Sequence, residues 1–178
     1  SGAAIWAETI REVHRANPQC TVEVLIPDMC NKDEPLRTVF EARPEILGHN
    51  IETIPRLYST VRPQAKYEWS LDVLKKSKAF DLRAKTAFML GLGEKAEEVF
   101  TLMEDIFQTG CDILAIGQYL QPTKRHHPVK RYIHPDEFDV YKKTGLEMGF
   151  GWVEAGPLVR SSYHADEQAT LTATPIRV

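Results

Sequence analysis

The stretch KTAFMLGLGEKAEEVFTLMEDIFQTG, Lys85 to Gly110, decides the fold. Lys85 to Leu92 (KTAFMLGL) is an apolar run of strand length that empties into a Gly-Leu-Gly-Glu turn. From Glu94 to Thr109 the apolar residues Ala96, Val99, Phe100, Met103, Ile106 and Phe107 recur at helical spacing, and Gly110 supplies a stop. Strand, tight turn and amphipathic helix in immediate succession are the unit of a parallel sheet, which needs a covering helix between neighbouring strands.

The same unit recurs on both sides. Upstream, a helix carries Trp6, Ile10 and Val13 at the start of the chain. It is followed by a buried strand at Thr21 to Pro27, a helix at Pro35 to Glu41, a short strand at Ile46 to His49, and a helix near Ser70 to Ser77. Downstream come a strand at Ile113 to Tyr119, a helix opened by Pro135 that carries Phe138 and Tyr141, and a last strand at Trp152 to Ala155. The expected class is α/β with a parallel sheet, as one domain over residues 1–165 and a polar tail over 166–178. The net charge of −3 gives no global pull toward nucleic acid or an anionic membrane, and no apolar run reaches membrane length. Cys20, Cys30 and Cys111 match no zinc, redox or cluster spacing and read as incidental thiols of a reducing compartment.

Each strand ends in a polar cluster: Asp28; His49, Asn50 and Glu52; Glu94; Gln118 and Gln121; Arg160, Ser161, Ser162 and Tyr163. In a parallel sheet those ends share one face, where sites are built. Gly91 to Ala96 fits the dinucleotide pattern G-x-G-x-x-A, but Asp112 sits at the wrong end of the next strand for a ribose contact. The reading preferred here is a turn that brings backbone near a ligand, with Glu94 accepting from it; the alternative is a plain turn with Glu94 at a helix N-terminus. His49 is read as structural, because no second ligand lies at metal spacing. Lys124, Arg125, His126, His127, Lys130 and Arg131 form a local basic run, either a solvated loop or a dock for an acidic partner or anionic ligand. No G-x-S-x-G elbow accompanies Ser161 and Ser162, so a serine-hydrolase reading is weak.

Taken together, VEVLIPD (22–28), HNIETIPRLYSTVRP (49–63), YEWSL (67–71), MLGLGE (89–94), IGQYLQPT (116–123), HPVKRYIHPDEF (127–138) and GPLVRSSYHA (156–165) resemble the lipoyl synthases of the radical SAM superfamily. The resemblance implies the C-terminal half of a partial (βα) barrel of radical SAM type. It implies insertion of two sulfur atoms into an octanoyl chain held on a lipoyl-carrier domain. It implies S-adenosylmethionine and two 4Fe–4S clusters in the parent enzyme, the auxiliary one consumed as sulfur source. By the same resemblance Ser162 is the auxiliary cluster's oxygen ligand. Asn50, Glu52, Glu94, Gln118 and Gln121 lie toward the cofactor, and Arg62, Lys85 and Arg160 toward substrate. Where the family has an aromatic residue and a glycine after IPD, this chain reads Met29-Cys30-Asn31, and Ala87 stands where glycine is expected. Neither cluster-binding cysteine set is present, so the chain alone is expected to be inactive and to need an N-terminal half or a cysteine-bearing partner chain. A cluster-free binding or assembly module for an acyl-carrier domain is the alternative. The expected location is the cytoplasm, or an organelle matrix if a targeting segment precedes Ser1.

Overall fold

The computed structural model describes residues 2–170, so most of the expected polar tail, residues 171–178, lies outside the described residues. The elements run α1 (Gly2–Ala16), β1 (Glu23–Leu25), α2 (Asp33–Phe40), β2 (Ile46–Gly48), α3 (Tyr58–Val61), α4 (Tyr67–Lys78), β3 (Arg83–Leu90), α5 (Ala96–Gln108), β4 (Ile113–Gln118), α6 (Pro135–Met148), β5 (Trp152–Gly156) and α7 (Ala165–Ala169). All five strands are parallel and lie in the order of the sequence, β1-β2-β3-β4-β5. The α/β expectation therefore holds, and the C-terminal ends of all strands share one rim.

Alternation along β3 and β4 divides the sheet into two faces. Ala84, Phe88 and Leu90 on β3 and Leu114 and Ile116 on β4 meet Val99, Met103 and Ile106 of α5 and Phe138 and Tyr141 of α6 in the main core. A second core joins Ala3, Ala7 and Ile10 of α1 to Leu36, Val39 and Phe40 of α2 and to Val24 and Leu47. The opposite face is lined by small residues. There Ala87 and Ala115, paired in register, are covered by Val159 from the segment after β5. Among the described residues, no helix is long and apolar enough to cross a membrane.

Two turns carry the geometry of the rim. Gly91 has φ +96°, and a Cβ there would stand 2.3 Å from the Gln118 amide and 2.4 Å from the Arg131 carbonyl; only glycine lets these segments meet. After β1, Met29, Cys30 and Asn31 are all left-handed, with φ of 51°, 55° and 54°. Each costs about 1–2 kcal/mol for an L-residue. The turn is held by Asp28, which accepts from the Cys30 N–H at 2.9 Å, and by the Asn31 amide, which bonds Asp72 at 3.0 Å and Lys76 at 2.7 Å.

Candidate functional site

A cleft of about 180 Å3 opens at the strand C-terminal ends on the small-residue face. Asn50, Glu52, Met89, Gln118, Arg160 and Ser161 line it over a floor of Ala87, Ala115 and Gly117. A complete small-molecule site occupies about 300–1,000 Å3, so this cleft is of a size to hold part of a ligand.

Glu52 is the acid of the cleft. Its backbone extends the β2 edge of β3: its N–H donates to Ala87 O at 3.0 Å and its carbonyl accepts from Met89 N at 2.9 Å. At φ 72° the residue is left-handed, a strained conformation for a side chain to hold. Burial pushes the Glu52 carboxyl up from its ordinary value, against the opposing pull of Arg62 and the Asn50 amide. A half-desolvated carboxylate beside an amide is suited to accept hydrogen bonds from an ammonium or hydroxyl group.

Other residues singled out in the sequence have partners within the fold. Gln118 donates to the carbonyls of Leu90, Tyr119 and Arg131 and accepts from Ile133 N at 2.9 Å, so its amide is spent clamping the segment after β4. The Gln121 amide donates to His126 O at 2.9 Å. Both oxygens of Glu94 accept backbone N–H groups, from Gly91 at 2.6 Å and Leu92 at 2.9 Å, so the carboxylate caps its own turn. Arg62 donates to Asn50 O at 3.0 Å, Ile51 O at 3.3 Å and the Tyr58 hydroxyl at 3.3 Å, which fixes the backbone ahead of Glu52. Lys85 lies near the start of β3, away from the rim, 2% exposed and bonded at 2.8 Å to both oxygens of Glu23. Arg160 does reach the cleft, with one guanidinium nitrogen on Val159 O at 2.7 Å. Ser161 lines the cleft, whereas Ser162 is exposed beside it.

His49 is structural, as its sequence context suggested. Its Nδ1 lies 2.8 Å from Ile26 O and its Nε2 3.0 Å from Ser70 Oγ, tying the segment just after β1 to α4. Burial, reinforced by Arg62, pulls its pKa down and keeps the ring neutral. Sequence reasoning missed the Glu23–Lys85 pair and the floor of the cleft. The small residues Ala87, Ala115 and Gly117 at alternate strand positions were the available signal.

The expected iron–sulfur clusters find no ligand set here. Among the described residues, no group of three or more His, Cys, Asp or Glu could hold a metal. Cys20 and Cys30 are exposed and separate, and burial pushes the Cys111 thiol up to about 12. The described residues therefore do not by themselves make up a 4Fe–4S site.

No family model matches the chain. It is 56% identical over 169 residues to a lipoyl synthase of Rubrobacter xylanophilus, 94% of this chain and 53% of that protein. Over 166 residues it is 52% identical to a lipoyl synthase of Bacteroides fragilis, 93% of this chain and 58% of that one. The chain thus spans about half the length of the curated relatives it matches. Its fold is similar to methylornithine synthase PylB (TM-score 0.64, 13% identity, 89% of this chain and 56% of that chain). It is also similar to a domain of a pyruvate-formate lyase-activating enzyme from Bacteroides vulgatus (TM-score 0.63, 12% identity, 88% and 95%). The parallel strand–helix architecture, that of a partial (βα) barrel, is thus shared with these proteins.

Proposed function

Since the chain belongs to the lipoyl synthase family, we propose that it forms part of an enzyme that inserts two sulfur atoms into an octanoyl chain carried on a lipoyl-carrier domain. The observation that carries this reading is the 56% identity sustained over 94% of the chain. The enzyme would work in the cytoplasm or an organelle matrix.

In this reading the cleft is one wall of the site. S-adenosylmethionine, when bound, supplies the hydrogen-abstracting chemistry. Glu52 and Asn50 would accept from its amino group or ribose, and Arg62 holds the backbone that presents them. Glu94, Gln118 and Gln121 serve by fixing the rim. Lys85 serves by bracing the wall through Glu23 rather than by touching substrate. Arg160 and Ser161 close the cleft from the C-terminal segment, where Arg160 can pair with an anionic or carbonyl group of substrate. Ser162 is proposed as the oxygen ligand of the auxiliary cluster. Its hydroxyl is exposed and has no hydrogen-bond partner among the described residues. The cysteines of both clusters would come from residues outside this chain.

The test is anaerobic iron–sulfide reconstitution of this chain alone and together with a cysteine-bearing N-terminal half of a lipoyl synthase. The chain alone should bind no stable cluster, and the pair should form deoxyadenosine and lipoyl product. In the paired enzyme Ser162→Ala should depress sulfur insertion more than deoxyadenosine formation. Stable cluster binding by the isolated chain, or equal loss of both products in Ser162→Ala, would contradict these assignments.

A further inference from the structure

The segment between β4 and α6, residues 119–134, contains no helix or strand. Connections of this length inside a compact domain are uncommon and are usually functional. From Ile113 to Pro135 the sequence holds no Asp or Glu, while Lys124, Arg125, Lys130 and Arg131 fall within it. The chain is acidic overall at −3, so everything outside this stretch is more acidic still. Arg131 pairs with Glu137 at 2.6 Å. Lys124, Arg125 and Lys130 are exposed and have no ion-pair partner among the described residues.

The segment is also held in place. Besides the Gln118 clamp, Lys130 N donates to Gly91 O at 2.8 Å, the His127 ring bonds Leu92 O at 2.8 Å, and the Tyr119 hydroxyl donates to His127 O at 2.7 Å. A loop fixed this way presents its cations without a large ordering cost on binding. Exposed Leu120 and Tyr132, 50% and 72% accessible, flank the cations with the apolar and aromatic contacts that protein interfaces use. Leu120 also lines the cleft, so a partner seated on the loop would stand at its mouth.

We propose that residues 120–132 form an electrostatic dock for the acidic surface of a folded protein, placed to hold that protein beside the cleft. The helices before β4 and after the segment open on acidic turns, Glu97 and Glu98 on α5 and Asp136 and Glu137 on α6, with Glu98 paired to Arg56 and Glu137 to Arg131. A compact partner with a small acidic patch meets only the cations. An extended polyanion, whether a duplex or an anionic membrane, would reach past these few cations onto a chain that is otherwise acidic and be repelled. The proposal rests on the lipoyl synthase reading in one respect: the carrier domain is the docked protein that reading supplies.

The experiment measures binding of the wild-type chain and of the triple variants K124E/R125E/K130E and K124Q/R125Q/K130Q to three probes at low and high salt. The probes are an octanoylated lipoyl-carrier domain, a heptaglutamate peptide and a random-sequence DNA duplex. Circular dichroism checks that the exposed changes leave the fold intact. The expected result is salt-sensitive binding of carrier and peptide. It should weaken about tenfold or more in the Glu variant and less in the Gln variant, mainly through the association rate. If the peptide binds with that dependence and the carrier does not, the dock stands and the lipoyl synthase reading fails. Equal binding of the carrier to wild type and both variants overturns the dock and leaves the reading intact. Duplex binding at least as strong as carrier binding overturns the commitment to a protein partner.

Discussion

Gly117→Ala tests whether the segment after β5 covers the small-residue face by direct backbone contact. A Cβ at Gly117 would stand 2.4 Å from the Val159 carbonyl oxygen, and a tolerable approach of 3.0 Å needs a shift of about 0.6 Å. That oxygen belongs to backbone, so it cannot rotate away as a side-chain tip would. If the segment stays, the overpacking costs about 1–3 kcal/mol. If it lifts off, the burial of Val159 against Ala87 and Ala115 is lost, worth about 1.5–3 kcal/mol for a fully buried valine. Either route destabilises by about 1–3 kcal/mol, and each kcal/mol is roughly 2–4 °C in Tm for a chain of this size. The assay is thermal and urea unfolding with hydrogen exchange over residues 157–162, which should exchange faster in the variant. Gly156→Ala is the control: its Cβ would meet Val159 Cγ2 at an ordinary 3.4 Å, and it should be nearly neutral. A Gly117→Ala protein with unchanged Tm and unchanged exchange would refute the contact.

The remaining predictions concern titration and thiols. Because burial raises the folded-state pKa of Glu52, the folded protein holds its proton more tightly than the unfolded chain, and stability falls as pH rises from about 4.5 through the folded value. Glu52→Gln should therefore raise the urea midpoint at pH 7, with a smaller gain at pH 4. His49 has the opposite sign: its folded pKa is lowered, so stability is complete above the unfolded value near 6.5 and is lost as pH falls below it. His49→Ala should cost about 1–3 kcal/mol at pH 7 from the two abandoned bonds, and should flatten the loss of stability on acidification. Cys20 and Cys30 should react with a thiol reagent in the native protein, while Cys111, with its thiol at about 12, should react only on unfolding.

The sheet was legible because apolar strands and amphipathic helices alternate without interruption, and the lengths departed from expectation for local reasons. Thr21 to Pro27 reads as a full strand, yet only Glu23 to Leu25 ladder, since β2 offers three residues to pair with. The run from Lys85 ends at Leu90 because Gly91 turns left-handed. The helix near Ser70 begins earlier, at Tyr67, and its pattern is blurred by two buried serines, Ser70 and Ser77, that bond within the core. The expected polar tail includes α7, whose Gln168 and Ala169 carbonyls accept from Arg83. At the site, strand ends pointed to the rim where the cleft opens and to Glu52 and Arg160, which line it. What spacing could not show is which polar side chains the fold itself consumes. Glu94, Gln118 and Gln121 sit at ligand-ready positions, but each is bonded to backbone from its own turn or loop or from a segment distant in sequence.

The strict order of the sheet has an architectural consequence. Every strand lies beside the one before it in the chain, and no connection crosses over a third strand. Cutting such a sheet between two strand–helix units severs a single ladder together with the helix contacts that bridge it, such as Phe100 of α5 on Tyr141 of α6. In a sheet wound this way the parts on either side of such a cut meet along one strand pairing, so a single exposed ladder is what they must find to rejoin.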